Sequence, residues 1–380
     1  MRRGGWQGTG DQGGGSGPGG GGSGAGAGSG AGAAAHGGTS TLPRCCESEE
    51  ELEQLKSMLR RRDRDRASLG RDVGVESSHL AATTSGPSRK RCRRPSAAGC
   101  KTCVLVRCHA PTDASLERIA EWAADIAGRS EHYELVVSLD ITRGSEHLAR
   151  VTRNLGHLHI HTYTSADLLA EYPAIQEAIP RLPPMWRRWA GQKDTPGTDP
   201  LAWGFHLECI NLFACHQSPG AFDYFWVLED DVGFTGALSS LLDSYRDSQA
   251  DLITEGRFKS DIWDPLAGPG TGWCWHDAGS DLFLRAVGDE QRVSTREHVQ
   301  RFSAAYLQWL DREGRKGLSC WSEMGSLTLC QLHPAFRCEF LQQTHVGSPF
   351  SYDGRLTERE FRKLKRDAAC QGKVYHALKW

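Results

Sequence analysis

The stretch FDYFWVLEDDV, residues 222–232, joins a nearly continuous apolar run to three consecutive acids. Apolar residues at almost every position predict a central β-strand that is buried on both faces. Acids at the end of such a strand are costly to bury unless a cation meets them. Because ligands bind at the carboxyl ends of the strands in open α/β sheets, this stretch predicts a fold class and a candidate site together.

The sequence before this stretch alternates between strand and helix patterns. Apolar and β-branched runs predict strands over residues 103–108, 133–140 and 158–163. Helix patterns over residues 112–127 and 145–155 separate them. This alternation is typical of a parallel sheet covered by helices, and it predicts an α/β fold.

The sequence after residue 232 continues the mixture of strands and helices. Thr235 is placed to cap a helix, and residues 250–254 and 336–341 fit strands. Two further helices are predicted near residues 296–312 and 322–332.

Composition divides the chain into five segments. The first forty residues hold 19 of the 44 glycines and have almost nothing to bury, which predicts disorder. The predicted order is a disordered glycine-rich segment over 1–46, a short amphipathic helix over 47–66, a polar basic linker over 67–99, a single α/β domain over 100–355, and a basic C-terminal helix over 356–380 that opens with a Thr357–Glu360 capping box.

Charge and cysteine content narrow the function classes. In 380 residues, 45 basic side chains balance 47 acids, which argues against a nucleic-acid partner. No apolar run approaches the roughly 20 residues that cross a bilayer, so no transmembrane segment is visible. Thirteen cysteines with one CxxC, Cys100 to Cys103, predict buried free thiols, or a few disulfides in a luminal chain, with a zinc or redox site as the alternative.

The acidic triplet is the strongest chemical signal. Strand alternation places Glu229 and Asp231 on one face and Asp230 on the other. Mg²⁺ and Mn²⁺ bind one or two carboxylates and take further ligands from phosphates, so the triplet predicts a divalent cation and a diphosphate. The alternative is that the acids cap the helix after Thr235.

The βαβ start, the apolar strand ending in Glu-Asp-Asp and a distal histidine resemble the GT-A fold of nucleotide-sugar glycosyltransferases. The triplet is similar to the form that the DxD motif takes in N-acetylglucosaminyltransferase I-like enzymes. The resemblance covers residues 100–350. It implies a GT-A-like, Rossmann-type mixed sheet flanked by helices. It also implies metal-dependent, inverting transfer of the hexosyltransferase type, from a nucleotide-sugar donor to the hydroxyl of a glycan or glycoprotein acceptor.

The resemblance also implies roles for individual residues. Arg107 and Asp140 end the first two predicted strands and would contact the base or ribose of the donor, with Asp230 nearby. Asp231 would bind the metal directly, together with Glu229. His345 would be a further metal ligand. Enzymes of this type generally sit in the Golgi lumen behind a membrane anchor. The resemblance therefore implies the Golgi or another luminal compartment if an anchor lies upstream of this sequence, and the cytoplasm otherwise.

Transfer with inversion needs a carboxylate that accepts the proton of the acceptor hydroxyl, and the remaining acids are the candidates. Glu323 lies in the first turn of a predicted helix, where the macrodipole favours its ionised form, and it resembles the acid that begins a late helix in inverting GT-A enzymes. Its alternative role is an ordinary helix N-terminus. Asp264 and Asp277 are rival bases in the tryptophan-rich loop 262–280.

Two alternatives remain for the function and one for the histidines. Nucleotidyl transfer also couples an α/β sheet to an acid-bound metal, and a GT-A-shaped domain without catalysis would be a binding module. The alternating His157, His159 and His161 would share one face of a strand. Three imidazoles could bind a metal ion, but the surrounding pattern is that of an edge strand, and we expect the histidines to be structural.

Overall fold

A computed structural model describes Glu53 and residues 100–182, 200–256, 276–350 and 356–378. All of them belong to one compact unit, Arg44–Trp380. The predicted segments 1–46 and 67–99, and all of 47–66 except Glu53, lie outside the described residues, and so does Asp264.

A seven-stranded mixed sheet forms the centre of the structure. Its order is β3-β2-β1-β4-β7-β6-β8. The strands are β1 (Thr102–Cys108), β2 (Tyr133–Asp140), β3 (His159–Tyr163), β4 (Tyr224–Glu229), β6 (Leu252–Thr254), β7 (Val299–Ser303) and β8 (Cys338–Phe340). β1 pairs in parallel with both β2 and β4, whereas β7 runs antiparallel to β4 and β6. The predicted mixed α/β sheet is confirmed.

The helices connect these strands and cover the sheet. They are α1 (Asp113–Ala127), α2 (Glu146–Leu155), α3 (Ser165–Glu171), α4 (Ile175–Ala178), α5 (Pro200–Gly204), α6 (His206–Ala214), α7 (Leu238–Ser244), α8 (Asp281–Ala286), α9 (Ala304–Arg315), α10 (Ser322–Leu332) and α11 (Glu358–Leu364). Thr112 caps α1 and Thr357 caps α11, each through a capping box, as the sequence predicts for the second. Among the described residues, no helix has both the length and the apolarity of a membrane-crossing one.

Two apolar layers bury the two faces of the sheet. Along β1, Cys103 and Leu105 pack on one side with α6, α9 and α10, while Val104 and Val106 pack on the other with α1, α2 and α7. Every residue of β1 is buried, as a strand covered on both faces requires. The cysteines in the described ranges are free thiols.

A second, three-stranded sheet holds the C-terminal segment behind the acidic triplet. It consists of β5 (Gly233–Phe234), β10 (Val374–His376) and β9 (Val346–Phe350), in the order β5-β10-β9. β5 begins two residues after the triplet. A Cβ at Gly233 would lie 2.2 Å from Leu378 Cδ1, so the missing side chain lets the two segments approach closely.

Three predicted elements differ in the structure. The residues predicted as a helix near 296–312 contain strand β7, and the helix α9 begins only at Ala304. Thr235 does not cap α7, which begins after Ala237; its hydroxyl instead donates to the carbonyl oxygen of Lys373. The predicted C-terminal helix over 356–380 is short: it ends at Leu364, and the chain then forms β10.

Candidate functional site

Four strands meet at one edge of the large sheet, and polar residues stand at their ends. The parallel strands β1, β2 and β4 end there with Cys108, Asp140 and Glu229. Because β7 runs in the opposite direction, its first residues lie at the same edge, where the Glu229 amide donates to the carbonyl oxygen of His298 at 3.1 Å. This edge is where ligands bind in open α/β sheets.

Glu229 contacts three basic side chains at this edge. Its Oε1 lies 2.8 Å from Arg107 Nη2, and its Oε2 lies 2.6 Å from His298 Nδ1 and 3.3 Å from His376 Nε2. Burial raises the pKa of Glu229, but His298, His376 and Arg107 together hold that pKa well below its ordinary value. The carboxylate is therefore ionised and held by cationic and imidazole partners.

Asp231 shares His376 with Glu229. Its Oδ1 lies 3.3 Å from His376 Nε2, and its backbone oxygen accepts from the Leu378 amide at 2.8 Å. Burial lowers the pKa of His376, yet hydrogen bonds and charge from the two acids raise it to about 9. The C-terminal strand thus supplies a cationic imidazole to the acidic triplet, in agreement with the cost of burying these acids alone.

The donor groups at this edge suit a divalent metal ion. The ligand atoms of Glu229, His298 and His376 all lie within 4.8 Å of one another, and in the described ranges no other group of three such residues is as close. The rings of His298 and His376 stack at 3.4 Å between centroids. Carboxylate and imidazole ligands fit a borderline ion such as Mn²⁺.

A cleft with a volume of about 70 Å³ opens over these residues. Its walls carry the acidic triplet together with a cation, imidazoles and aromatic rings, among them Arg107, Tyr163, Trp203, His206, Glu229, Asp230, Asp231 and His376. Trp203 meets Trp321 edge to face, with 5.4 Å between ring centroids. The structure therefore brings together Arg107 and all three acids that the sequence singles out.

Asp140 and Asp230 stand close to this cleft in different ways. Asp140 is buried at the end of β2 and accepts hydrogen bonds from the Thr142 amide, at 2.8 Å, and from its hydroxyl. Asp230 lines the cleft, and its backbone oxygen accepts from buried Arg118 at 2.7 Å. The neighbouring Thr142 therefore holds the Asp140 carboxylate, whereas the distant Arg118 side chain holds the backbone of Asp230.

Two other predicted site residues lie elsewhere. His345 does not line the cleft; its Nδ1 lies 2.8 Å from the hydroxyl of Tyr245, and the C-terminal histidine beside the acids is His376. Asp277 accepts a hydrogen bond from Arg292 at 3.1 Å, and its side chain is 75% exposed. The expectation for Asp264 falls outside the described residues.

Buried acids lie beneath the cleft. Glu323 is buried in the first turn of α10, as predicted, and its charge contributes to the raised pKa of Glu297, for which burial is the largest cause. Glu297 Oε1 lies 2.7 Å from Nδ1 of His206, which reaches the cleft wall. Burial also lowers the pKa of His206 well below its ordinary value, so it favours the neutral forms of both partners.

Glu208 gives this part of the structure a pH dependence. Burial raises its pKa from 4.5 to about 7, so folding takes up a proton between these values and stability falls as the pH rises through them. Compared with Glu208→Gln, the wild type should lose roughly 3 kcal/mol of unfolding free energy between pH 5 and pH 8. Denaturant titrations across this range measure the difference.

The control for this prediction is Glu117→Gln, which changes the same charge on the exposed face of α1. Its unfolding free energy should follow that of the wild type at every pH. Parallel pH curves for the wild type and Glu208→Gln would contradict the raised pKa.

Sequence reasoning missed His206, His298 and His376. The run Val374-Tyr-His-Ala-Leu378 after Gly372 is a strand signal that could have located His376. His298 precedes a strand whose polar residues disguise it. No local pattern distinguishes His206 from an ordinary residue of a helix.

Comparisons with known proteins identify no relative by sequence and several similar structures. No protein-family model and no curated protein match the chain. Core-mannan synthase A from Aspergillus fumigatus, in its Mn/GDP form, is 13% identical, with 71% of this chain and 79% of that chain covered and a TM-score of 0.33. Mouse xyloside xylosyltransferase 1 is 12% identical, with 73% and 97% covered and a TM-score of 0.35.

A structure of an enzyme that is not named as a sugar transferase has a similar TM-score. The 4-diphosphocytidyl-2C-methyl-D-erythritol synthase from Anaerococcus prevotii is 7% identical, with 64% of this chain and 88% of that chain covered and a TM-score of 0.34. Likeness at this level assigns neither a family nor an activity, so a function must be inferred from the site.

Proposed function

We propose that this chain is a metal-dependent glycosyltransferase that moves a sugar from a nucleoside-diphosphate sugar to an acceptor hydroxyl. The observation that carries the proposal is the shared contact of Glu229 and Asp231 with His376, at the carboxyl edge of a mixed sheet and in the wall of a cleft. Acids with imidazole at this position are suited to a divalent cation with phosphate ligands.

The metal-binding roles follow from the contacts. Asp231 and His376 would hold the cation, Mn²⁺ or Mg²⁺, with Glu229 as a third ligand, and metal binding would displace the proton that the two acids hold on His376. Glu229 also fixes the site, because its two oxygens bind Arg107 on one side and His298 on the other. A bound divalent ion would neutralise the charge that develops on the departing diphosphate.

The donor would occupy the cleft beside these acids. Arg107 supplies a cation next to Glu229, and Trp203 supplies an aromatic face in the same wall. Asp140, held by Thr142 at the end of the neighbouring strand, would contact the nucleoside, and Asp230 would contribute nearby. A glycan or glycoprotein hydroxyl is the acceptor that we propose.

Transfer would proceed with inversion. The acceptor oxygen forms the new bond to the anomeric carbon while the bond from that carbon to the diphosphate oxygen breaks, and a carboxylate takes the hydroxyl proton. We propose Glu323 for that proton, since it starts a helix and lies close to the buried acid Glu297. Asp264 is the rival base.

Glu323→Gln should lower turnover about a hundredfold, because an amide cannot accept the proton. The apparent affinity for Mn²⁺ should stay unchanged, since the side chain does not contribute to the metal cluster. Initial rates at saturating donor and acceptor measure the effect. Glu208→Gln, which replaces another buried glutamate outside the cleft wall, is the matched control. Full turnover in Glu323→Gln would assign the base elsewhere.

A panel of uridine and guanosine diphosphate sugars, incubated with the full chain and Mn²⁺, tests the reaction class. Release of nucleoside diphosphate is expected with at least one donor, and it should stop in EDTA and resume when Mn²⁺ is restored. Pyrophosphate formation from a nucleoside triphosphate and a sugar phosphate would instead indicate nucleotidyl transfer. Diphosphate binding in calorimetry without turnover of any donor would indicate a binding module.

A further inference from the structure

A second cavity runs along the edge strand β3. Its volume is about 480 Å³, and it is open to solvent. Tyr163 lines both this cavity and the cleft. Three histidines line it, His159, His161 and His216, and two acids, Asp167 and Glu171, lie in the same wall. The cavity therefore gathers five groups that are capable of binding a metal ion, outside the site already described.

The histidines come from two neighbouring elements. His159 and His161 alternate along β3, so their side chains project from the same face, roughly 6.6 Å apart along the strand. Both rings lie against Phe213, at 5.5 and 5.3 Å between centroids. His216 follows the helix α6 that carries Phe213. Two imidazoles thus lie against one aromatic ring, and the third lines the same cavity.

His161 is oriented as a metal ligand is. Its Nδ1 lies 3.3 Å from the Ser138 hydroxyl on the neighbouring strand, which leaves Nε2 as the nitrogen available to a ligand. Burial, followed by the charges of His159 and His216, lowers the pKa of His161 to about 4. The ring is therefore neutral, which is the form that binds metal ions.

The acids in the wall are already engaged. Asp167 accepts hydrogen bonds from the Thr164 amide and hydroxyl, at 2.8 and 2.7 Å, and Glu171 pairs with Arg315. By contrast, within the described ranges the side chains of His159 and His216 make no hydrogen bond or ion pair, and both are exposed. These two rings can therefore rotate without losing a polar contact.

We propose that His159, His161 and His216 bind one borderline transition-metal ion such as Zn²⁺ and thereby link the edge strand β3 to the end of helix α6. Imidazole is a preferred ligand of Zn²⁺, and three histidines with a water molecule complete a tetrahedral set. Among described residues, ligand atoms already lie within 4.8 Å of one another only in the group of Glu229, His298 and His376. The ion would thus draw in the two exposed rings. This site goes beyond the proposed function and does not depend on it.

Titration of the full chain, free of any polyhistidine tag, with Zn²⁺ in a calorimeter and with Co²⁺ in an absorption spectrometer tests the proposal. An Asp231→Ala/His376→Ala background removes two ligands of the acidic cluster and breaks the group of Glu229, His298 and His376, so that the signal comes from the second cavity. One bound ion per chain and the absorption bands of tetrahedral Co²⁺ are expected. The double variant His159→Ala/His216→Ala should bind Zn²⁺ at least about a hundredfold more weakly.

The matched control is His157→Ala, an exposed histidine two residues before His159 that does not line the cavity. Its Zn²⁺ affinity should equal that of the parent. His161→Gln should also weaken binding, and circular dichroism of each variant reports folding. A parent chain that binds no Zn²⁺, or an unchanged affinity in the folded double variant, would overturn the proposal. Because the readout is metal affinity, an absence of transferase activity leaves this test intact.

Discussion

Replacing Asp231 with alanine is expected to lower metal-dependent sugar transfer at least about a thousandfold while the protein stays folded. Its carboxylate is one of two that contact His376, and it lies in the turn after β4, with 18% of its side chain exposed. The turn is held through the backbone, where the Asp231 oxygen accepts from the Leu378 amide. Losing the carboxylate would therefore remove a proposed metal ligand, while the backbone contact that anchors the C-terminal segment would remain.

Three measurements distinguish this result from general damage. Turnover and Mn²⁺ affinity should both fall in Asp231→Ala and in the nearly isosteric Asp231→Asn, whereas the melting temperature should change by only a few degrees. Asp243→Asn, which breaks an exposed ion pair with Arg129 on another part of the surface, should leave turnover and Mn²⁺ affinity as they are. Turnover that survives in Asp231→Ala, or in the presence of EDTA, would refute the metal role of this residue.

The central half of the sheet was predictable because its strands bury both faces. Strands β1, β2 and β4 are buried along nearly their whole length and are mostly apolar, and such runs are visible in a sequence. The position of the acids followed from the same pattern, since they interrupt an apolar run that ends at Leu228. Glu229 and Asp231 do face a common partner, His376, as strand alternation predicts.

Strand β7 was not predictable, because it contains buried polar side chains and therefore lacks the apolar pattern of a strand. These side chains form hydrogen bonds with residues that are distant in the sequence. Buried Arg301 donates to the carbonyl oxygens of Tyr245 and Ala250, at 2.6 and 3.1 Å, and lies 4.2 Å from the ring centre of Tyr224. Such partners are brought together only by the folded chain. His298 directly precedes this strand. Because a helix is predicted there instead of a strand, the sequence gives no reason to place His298 at the site.

The C-terminal histidine shows a different reason for failure. The sequence predicts His345 as the metal ligand, but in the structure the His345 ring contacts the hydroxyl of Tyr245. His376 reaches the acids because β10 pairs with β5, which follows the triplet by only two residues. Pairing between segments about 140 residues apart in the chain leaves no local signal that tells one histidine from another.

Replacing Arg107 with alanine should destabilise the fold by about 3 kcal/mol, because it leaves the buried Glu229 carboxylate without its guanidinium partner. The two side chains are 9% and 12% exposed, and their ion pair measures 2.8 Å. His376 and His298 remain beside the carboxylate, so the loss should lie at the lower end of the range for buried pairs. Urea unfolding monitored by tryptophan fluorescence measures the change.

A second ion pair near the opposite end of β1 provides the matched control. Lys101 Nζ lies 2.7 Å from Glu134, but the two side chains are 41% and 39% exposed, so Lys101→Ala should cost no more than about 1 kcal/mol. Adding Glu229→Gln to Arg107→Ala should recover part of the loss, because the unpaired charge is then gone. Equal costs for Arg107→Ala and Lys101→Ala, or a double variant less stable than Arg107→Ala, would show that burial of the Glu229 charge does not set the energetics of this edge.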